Sequence, residues 1–230
     1  MEKIQSWLGQ LQWGNLLEPA VLILASLLCI TVHETCHGLA AYALGDPTAK
    51  RAGRLSLNPL RHVDLLGLIM MAIFRFGWAK PVPIDPRYFK KPKRDMALTA
   101  LAGPVSNVLL AWIAVMCYAM AIFFYRRSSA ESLSYVCLFF QYMAILSAGL
   151  AVFNLIPIPP LDGSKVLFSL FSDKVYAKVL RYERYGMVIL FVVLYLGWLD
   201  KPLEFLRGGL LTGLEAVGLW PYTLLQKIFS

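Results

Sequence analysis

From Ala20 to Val32, and again from Gly38 to Leu44, the chain carries no charged residue, and the five residues between these runs are His33-Glu34-Thr35-Cys36-His37. A helix from about Pro19 to Leu44 is roughly 39 Å long at 1.5 Å rise per residue, enough to cross a bilayer with some tilt. His33 and His37 stand four apart and project from one helical face. Two imidazoles at that spacing can bind one Zn²⁺, and Glu34, one step round, can act as a base on water held there. The competing reading is a chance run whose polar side chains are merely hydrogen-bonded. A charged group near mid-bilayer costs ~3 kcal/mol or more, which makes a functional role the default for ionisable residues at that depth.

The rest of the chain matches this start. It is 58% hydrophobic and 16% charged over 230 residues, with mean hydropathy +0.60. A soluble domain has about 25% charged residues. Several long apolar runs therefore imply a polytopic membrane protein, read as one domain over residues 1–230. The net charge of +8 sets orientation and contact with anionic lipid. A nucleic-acid partner is excluded, because the basic residues flank apolar spans and no nucleic-acid motif accompanies them. Cys29, Cys36, Cys117 and Cys137 lie in apolar segments without a CxxC pair and read as small hydrophobes. No signal peptide is expected at the N-terminus.

Taken in order, Ile4, Trp7, Leu8 and Leu11 share a helical face, which suggests a short interfacial helix within residues 1–18. Gly45-Asp46-Pro47 ends the first span. Arg54-Leu55-Ser56-Leu57 alternates polar and apolar and predicts a short strand, while Gly77–Pro86, with three prolines, reads as a loop that can hold an edge strand at Ala79–Ile84. Residues 65–78 are apolar but short, and Arg75 interrupts them, so this stretch is tilted or re-entrant rather than a plain span. Further spans are expected at Met96–Tyr125, Leu133–Ile156 and Tyr185–Leu199, with a weaker one at 203–225. The fold class is thus an all-α polytopic membrane protein of about five to six transmembrane helices, with a small β-hairpin or re-entrant element near the site.

Basic residues lie densely on both sides of 65–78, which puts both flanks in the cytoplasm. The first span then ends inside, and the span from Leu133 returns inward. Asp162 emerges on the same side as the C-terminal half of the first helix and can meet His33 and His37. An open zinc site needs about three protein ligands. His62, Asp64, Asp85 and Asp162 are the candidates for the third. His62 and Asp64 read as solvated loop residues. Asp162 follows a proline-broken helix end and precedes Gly163, which lets the backbone turn the carboxylate inward; a plain helix-capping Asp is the alternative.

At this point the chain resembles the site-2 protease family of intramembrane zinc metalloproteases. The likeness rests on HETCH at 33–37, GRLSLNPLRHVD at 53–64, GWAKPVPIDPRYF at 77–89, ALAGPVSN at 100–107 and NLIPIPPLDGSKV at 154–166. It implies one Zn²⁺ held by His33, His37 and Asp162, with Glu34 as catalytic base and Asn154 holding substrate or the oxyanion. It further implies a multi-pass protein of the cell membrane, acting on a transmembrane protein substrate. The family's LDGG is LDGS here, and Ser164 is expected to be tolerated. A minimal member without PDZ or nucleotide-sensing domain is expected. The main competing function is a catalytically silent, membrane-embedded zinc-binding regulatory protein. Intact Glu34 argues against it. A transporter would spread ionisable groups along a path, whereas here they gather at one place.

Overall fold

The computed structural model describes residues 14–64, 67, 80–128 and 130–229. The interfacial helix expected near the N-terminus and nearly all of 65–78 lie outside the described residues. Among those described, the chain is helical: α1 (Gly14–Ala43), α2 (Thr48–Arg51), α3 (Pro92–Ser128), α4 (Glu131–Asn154), α5 (Asp162–Ser169), α6 (Asp173–Tyr195), α7 (Asp200–Gly218) and α8 (Trp220–Phe229), with single 3-10 turns at Pro59–Arg61 and Pro86–Tyr88.

Helices α1, α3 and α4 pack on one another, α5 lies on α3, and α7 and α8 lean against the outside of this trio. The core where the three cross is built mostly from small side chains, Ala25 and Cys29 of α1, Ala114 and Val115 of α3 and Ala144 of α4, with Met143 of α4 among them. Small residues let helix backbones approach closely where lipid, rather than water, is the competing solvent. Other large apolar residues of these helices point outward. Ile23, Leu24, Leu109 and Ile113 are all about half exposed, an arrangement that suits contact with acyl chains rather than with water.

Among the described residues, three helices are long and apolar enough to cross a membrane: Leu17–Ala43, Pro92–Ser128 and Glu131–Asn154. A fourth exists only if Tyr185–Tyr195 and Asp200–Phe229, bent by 87° at their junction, count as one span. The expected five to six spans are therefore three to four among the described residues. The apolar part of α6 is only roughly 16 Å long at 1.5 Å per residue. The chain then breaks at Gly197, whose φ of +68° stops the helix. Helix α7 carries Lys201, Glu204, Arg207 and Glu215, too polar for a plain span.

The expected strands are absent among the described residues. In the first, the Ser56 carbonyl is already taken by the Thr35 hydroxyl at 3.0 Å and by His62 Nε2 at 2.8 Å. In the second, Pro81 and Pro83 have no N–H to give. The Lys80 amide donates to His62 O at 2.9 Å, Val82 to Glu34 Oε2 at 2.9 Å and Asp85 to Asp46 Oδ2 at 2.7 Å. With these donors engaged, no ladder can form. What results is an extended strap pinned across the C-terminal part of α1. The same bonds join segments 46–64 and 80–95 at one end of the helix bundle.

Candidate metal centre

The site begins with the spacing of His33 and His37. One helical turn brings their Nε2 atoms to 3.0 Å, with the rings edge to face. Asp162 completes the group from the far side of the sequence. Its Oδ2 lies 3.2 Å from His33 Nε2 and 3.1 Å from His37 Nε2. All three residues are buried, and their inward atoms could hold a metal ion.

Asp162 reaches them because α4 ends at Asn154 and the chain doubles back through Pro157–Pro160 before α5 starts. That turn requires glycine at 163, where a Cβ would run into the carbonyls of Leu155 and Ile156. Asp162 is the first residue of α5, yet its side chain faces the histidines instead of capping the helix. Its other oxygen, Oδ1, is 3.9 Å from Lys165 Nζ. Ser164 is buried and donates to Leu161 O at 2.7 Å, so the fourth position of the LDGS motif accepts a side chain.

The donor set fits a divalent cation. His37 Nδ1 lies 2.7 Å from Thr99 O. A carbonyl can only accept, so Nδ1 carries the hydrogen and the neutral ring's Nε2 presents a lone pair. That lone pair faces a carboxylate oxygen at 3.1 Å. Two acceptors at this distance repel unless a proton or a metal ion lies between them. Two imidazole nitrogens and one carboxylate oxygen form a donor set suited to catalytic zinc. Space is reserved as well. A Cβ on Gly103 of α3 would fall 2.6 Å from His33 Cε1 and against His37 Nε2, so only glycine leaves the inward face of the histidine pair open.

Glu34 sits one step round α1, and its Oε2 accepts the Val82 amide at 2.9 Å. Asn154, the last residue of α4, donates from Nδ2 to Leu150 O at 3.0 Å. Of the remaining third-ligand candidates, none joins the group. His62 is 2% exposed, not solvated as expected, and its ring is tied to Ser56 O. Asp64 accepts the Gly67 amide at 2.8 Å. Asp85 pairs with Arg87 at 2.6 Å, and this guanidinium, with the Arg87 amide, holds its carboxyl below the usual carboxylate range.

Comparison with known proteins agrees with this geometry. A sequence model of peptidase family M50 matches residues 122–197, a stretch that contains Asp162. The Bacillus subtilis (strain 168) protein named "Putative zinc metalloprotease YwhC" is 38% identical over 174 residues, 76% of this chain and 79% of that one. The chain belongs to peptidase family M50. Rip2 of Mycolicibacterium smegmatis, given the same zinc metalloprotease description, is 27% identical over 76% of this chain and 66% of its own. MJ0611 of Methanocaldococcus jannaschii, likewise so described, is 28% identical over 59% and 62%. No solved structure matches the chain significantly. Membership of M50, the site-2 protease family, accords with a membrane protein whose described helices include three or four able to span.

Several residues around the M50 site carry no role in the sequence reading. Thr99, Gly103 and Asn107 follow at steps of four on α3, the same step that separates His33 from His37. The antiparallel neighbour sets Thr99 against His37, Asn107 against His33 and Gly103 between them. The matching period was a visible signal; which helix faces which was not. Asp46, fully buried, accepts the Thr48 and Asp85 amides and anchors the strap.

Proposed function

We propose that this chain is an intramembrane zinc metalloprotease. It forms one multi-pass domain in the cell membrane and hydrolyses peptide bonds in or near transmembrane segments of other membrane proteins. The convergence of His33, His37 and Asp162 beside Glu34 carries the reading. In it, both histidines bind Zn²⁺ through Nε2 and Asp162 binds through its carboxylate. When bound, zinc supplies Lewis acidity, polarising a carbonyl oxygen and acidifying water toward a pKa of ~7.

The chain's own groups do the remaining work. Glu34 has Oε2 held by the Val82 amide, which fixes the carboxylate and leaves Oε1 for the proton. Glu34 takes that proton as the water oxygen bonds to the scissile carbonyl carbon, and passes it to the amide nitrogen as the C–N bond breaks. Asn154 turns its amide from Leu150 O toward the substrate and donates to the developing oxyanion. A substrate helix has to unwind first, because its carbonyls are held in i→i−4 bonds.

The test is Glu34→Gln. It preserves size and most hydrogen bonding but takes no proton at neutral pH. Cleavage of a co-expressed single-span protein should fall roughly 10²–10⁴-fold, the usual worth of a positioned base, while zinc content stays at the wild-type level. Near wild-type cleavage would remove Glu34 from the mechanism and with it this account of catalysis.

A further inference from the structure

His33 and His37 have different partners behind them. The Thr99 carbonyl can only accept, so it fixes His37 in the tautomer that leaves Nε2 free for a metal ion. Behind His33 stands the side-chain amide of Asn107, a fully buried residue of α3. Its Nδ2 lies 3.1 Å from His33 Nδ1, and its Oδ1 is buried with no hydrogen-bond partner among the described residues. An amide is two-faced. With Nδ2 toward the ring, Nδ1 accepts, and the hydrogen of the neutral imidazole sits on Nε2, where it blocks ligation. With Oδ1 toward the ring, Nδ1 donates, the orphaned oxygen gains a partner, and Nε2 becomes a lone pair.

We infer that Asn107 is the positioning residue of His33: its Oδ1 accepts the Nδ1 hydrogen and so makes His33 a metal ligand through Nε2. The inference rests on His33, His37 and Asp162 being the ligands. An amide one turn beyond Gly103 is well suited to the place. It reaches across the gap that the glycine opens, and it adds no charge beside Asp162. A leucine would fill similar space without an acceptor. An aspartate would keep the acceptor while losing the donor and adding a charge, as in carboxylate–histidine–zinc arrangements.

The full chain in detergent, titrated with Zn²⁺ against a competing chelator, tests this. Asn107→Leu should weaken zinc binding 10–100-fold, the usual cost of removing a group that orients a ligand, while Asn107→Asp should stay within roughly threefold of wild type. The visible spectrum of the Co²⁺ form should shift in the leucine variant and not in the aspartate variant. Thermal melting of the zinc-free proteins reports packing separately. A leucine variant that binds like wild type, or an aspartate variant that loses as much as leucine, overturns the role of Asn107. If the leucine variant does not fold, the aspartate variant decides alone: retained affinity supports the role, and a loss of tenfold or more overturns it. His33→Ala must lose zinc in the same titration. If it does not, or if wild type binds none, the ligand set fails, not the role of Asn107 alone.

Discussion

A single hydrogen in place of a methyl group decides whether the metal centre has room. At Gly103 any Cβ would press on His37 Nε2 and on His33 Cε1, on the inward side of the candidate site. Gly103→Ala is therefore expected to weaken zinc binding by about 100-fold or more, beyond the 10–100-fold cost of a lost orienting group, with the helices intact by circular dichroism. A full equivalent of zinc in this variant would show that the rings have slack that the structure does not suggest. That His33, His37 and Asp162 gather at one place was expected from the sequence: the histidines share a helical face, Asp162 follows a proline-broken helix end, and the family resemblance singled it out from His62, Asp64 and Asp85. Gly103 and Asn107 were not. Their roles depend on which helix packs against α1, and nothing in a single chain's spacing fixes that partner.

At the scale of elements, the long apolar helices were readable because each requires only local hydrogen bonds and an apolar surround. The edge strand expected at 79–84, within a proline-rich loop, is not formed by its described residues. An edge strand pairs only through free amides, and here Asp46, Glu34 and His62 hold those of the strap. The prolines at 81 and 83 were visible warnings. Asp46 is the buried anchor of this strap, and its loss leaves the Asp85 and Thr48 amides without their acceptor. Asp46→Ala should destabilise by about 2 kcal/mol, the usual range for buried donors left unsatisfied. The expected readout is a lower thermal midpoint in detergent together with faster proteolysis between Lys80 and Lys91. An unchanged digestion pattern would mean that the strap is held by other contacts.

Over the whole molecule, the bonds between segments 46–64 and 80–95 require both to leave the membrane on one side. Lys50, Arg51, Arg54 and Arg61 on one segment, and Lys80, Arg87, Lys90, Lys91, Lys93 and Arg94 on the other, predict that this side is cytoplasmic. Single cysteines at Leu60 and Lys91, both exposed, should label only after the membrane is opened. Labelling of either from outside intact cells would reverse the orientation. The same arrangement brings the end of α4 back to the level of His33, which lets a residue more than a hundred positions away finish the site. That long-range closure is the central claim, and zinc content measures it most directly. Purified wild-type protein should carry about one equivalent of Zn²⁺, and Asp162→Asn, His33→Ala and His37→Ala should each lose most of it. A full equivalent retained in Asp162→Asn would contradict the account.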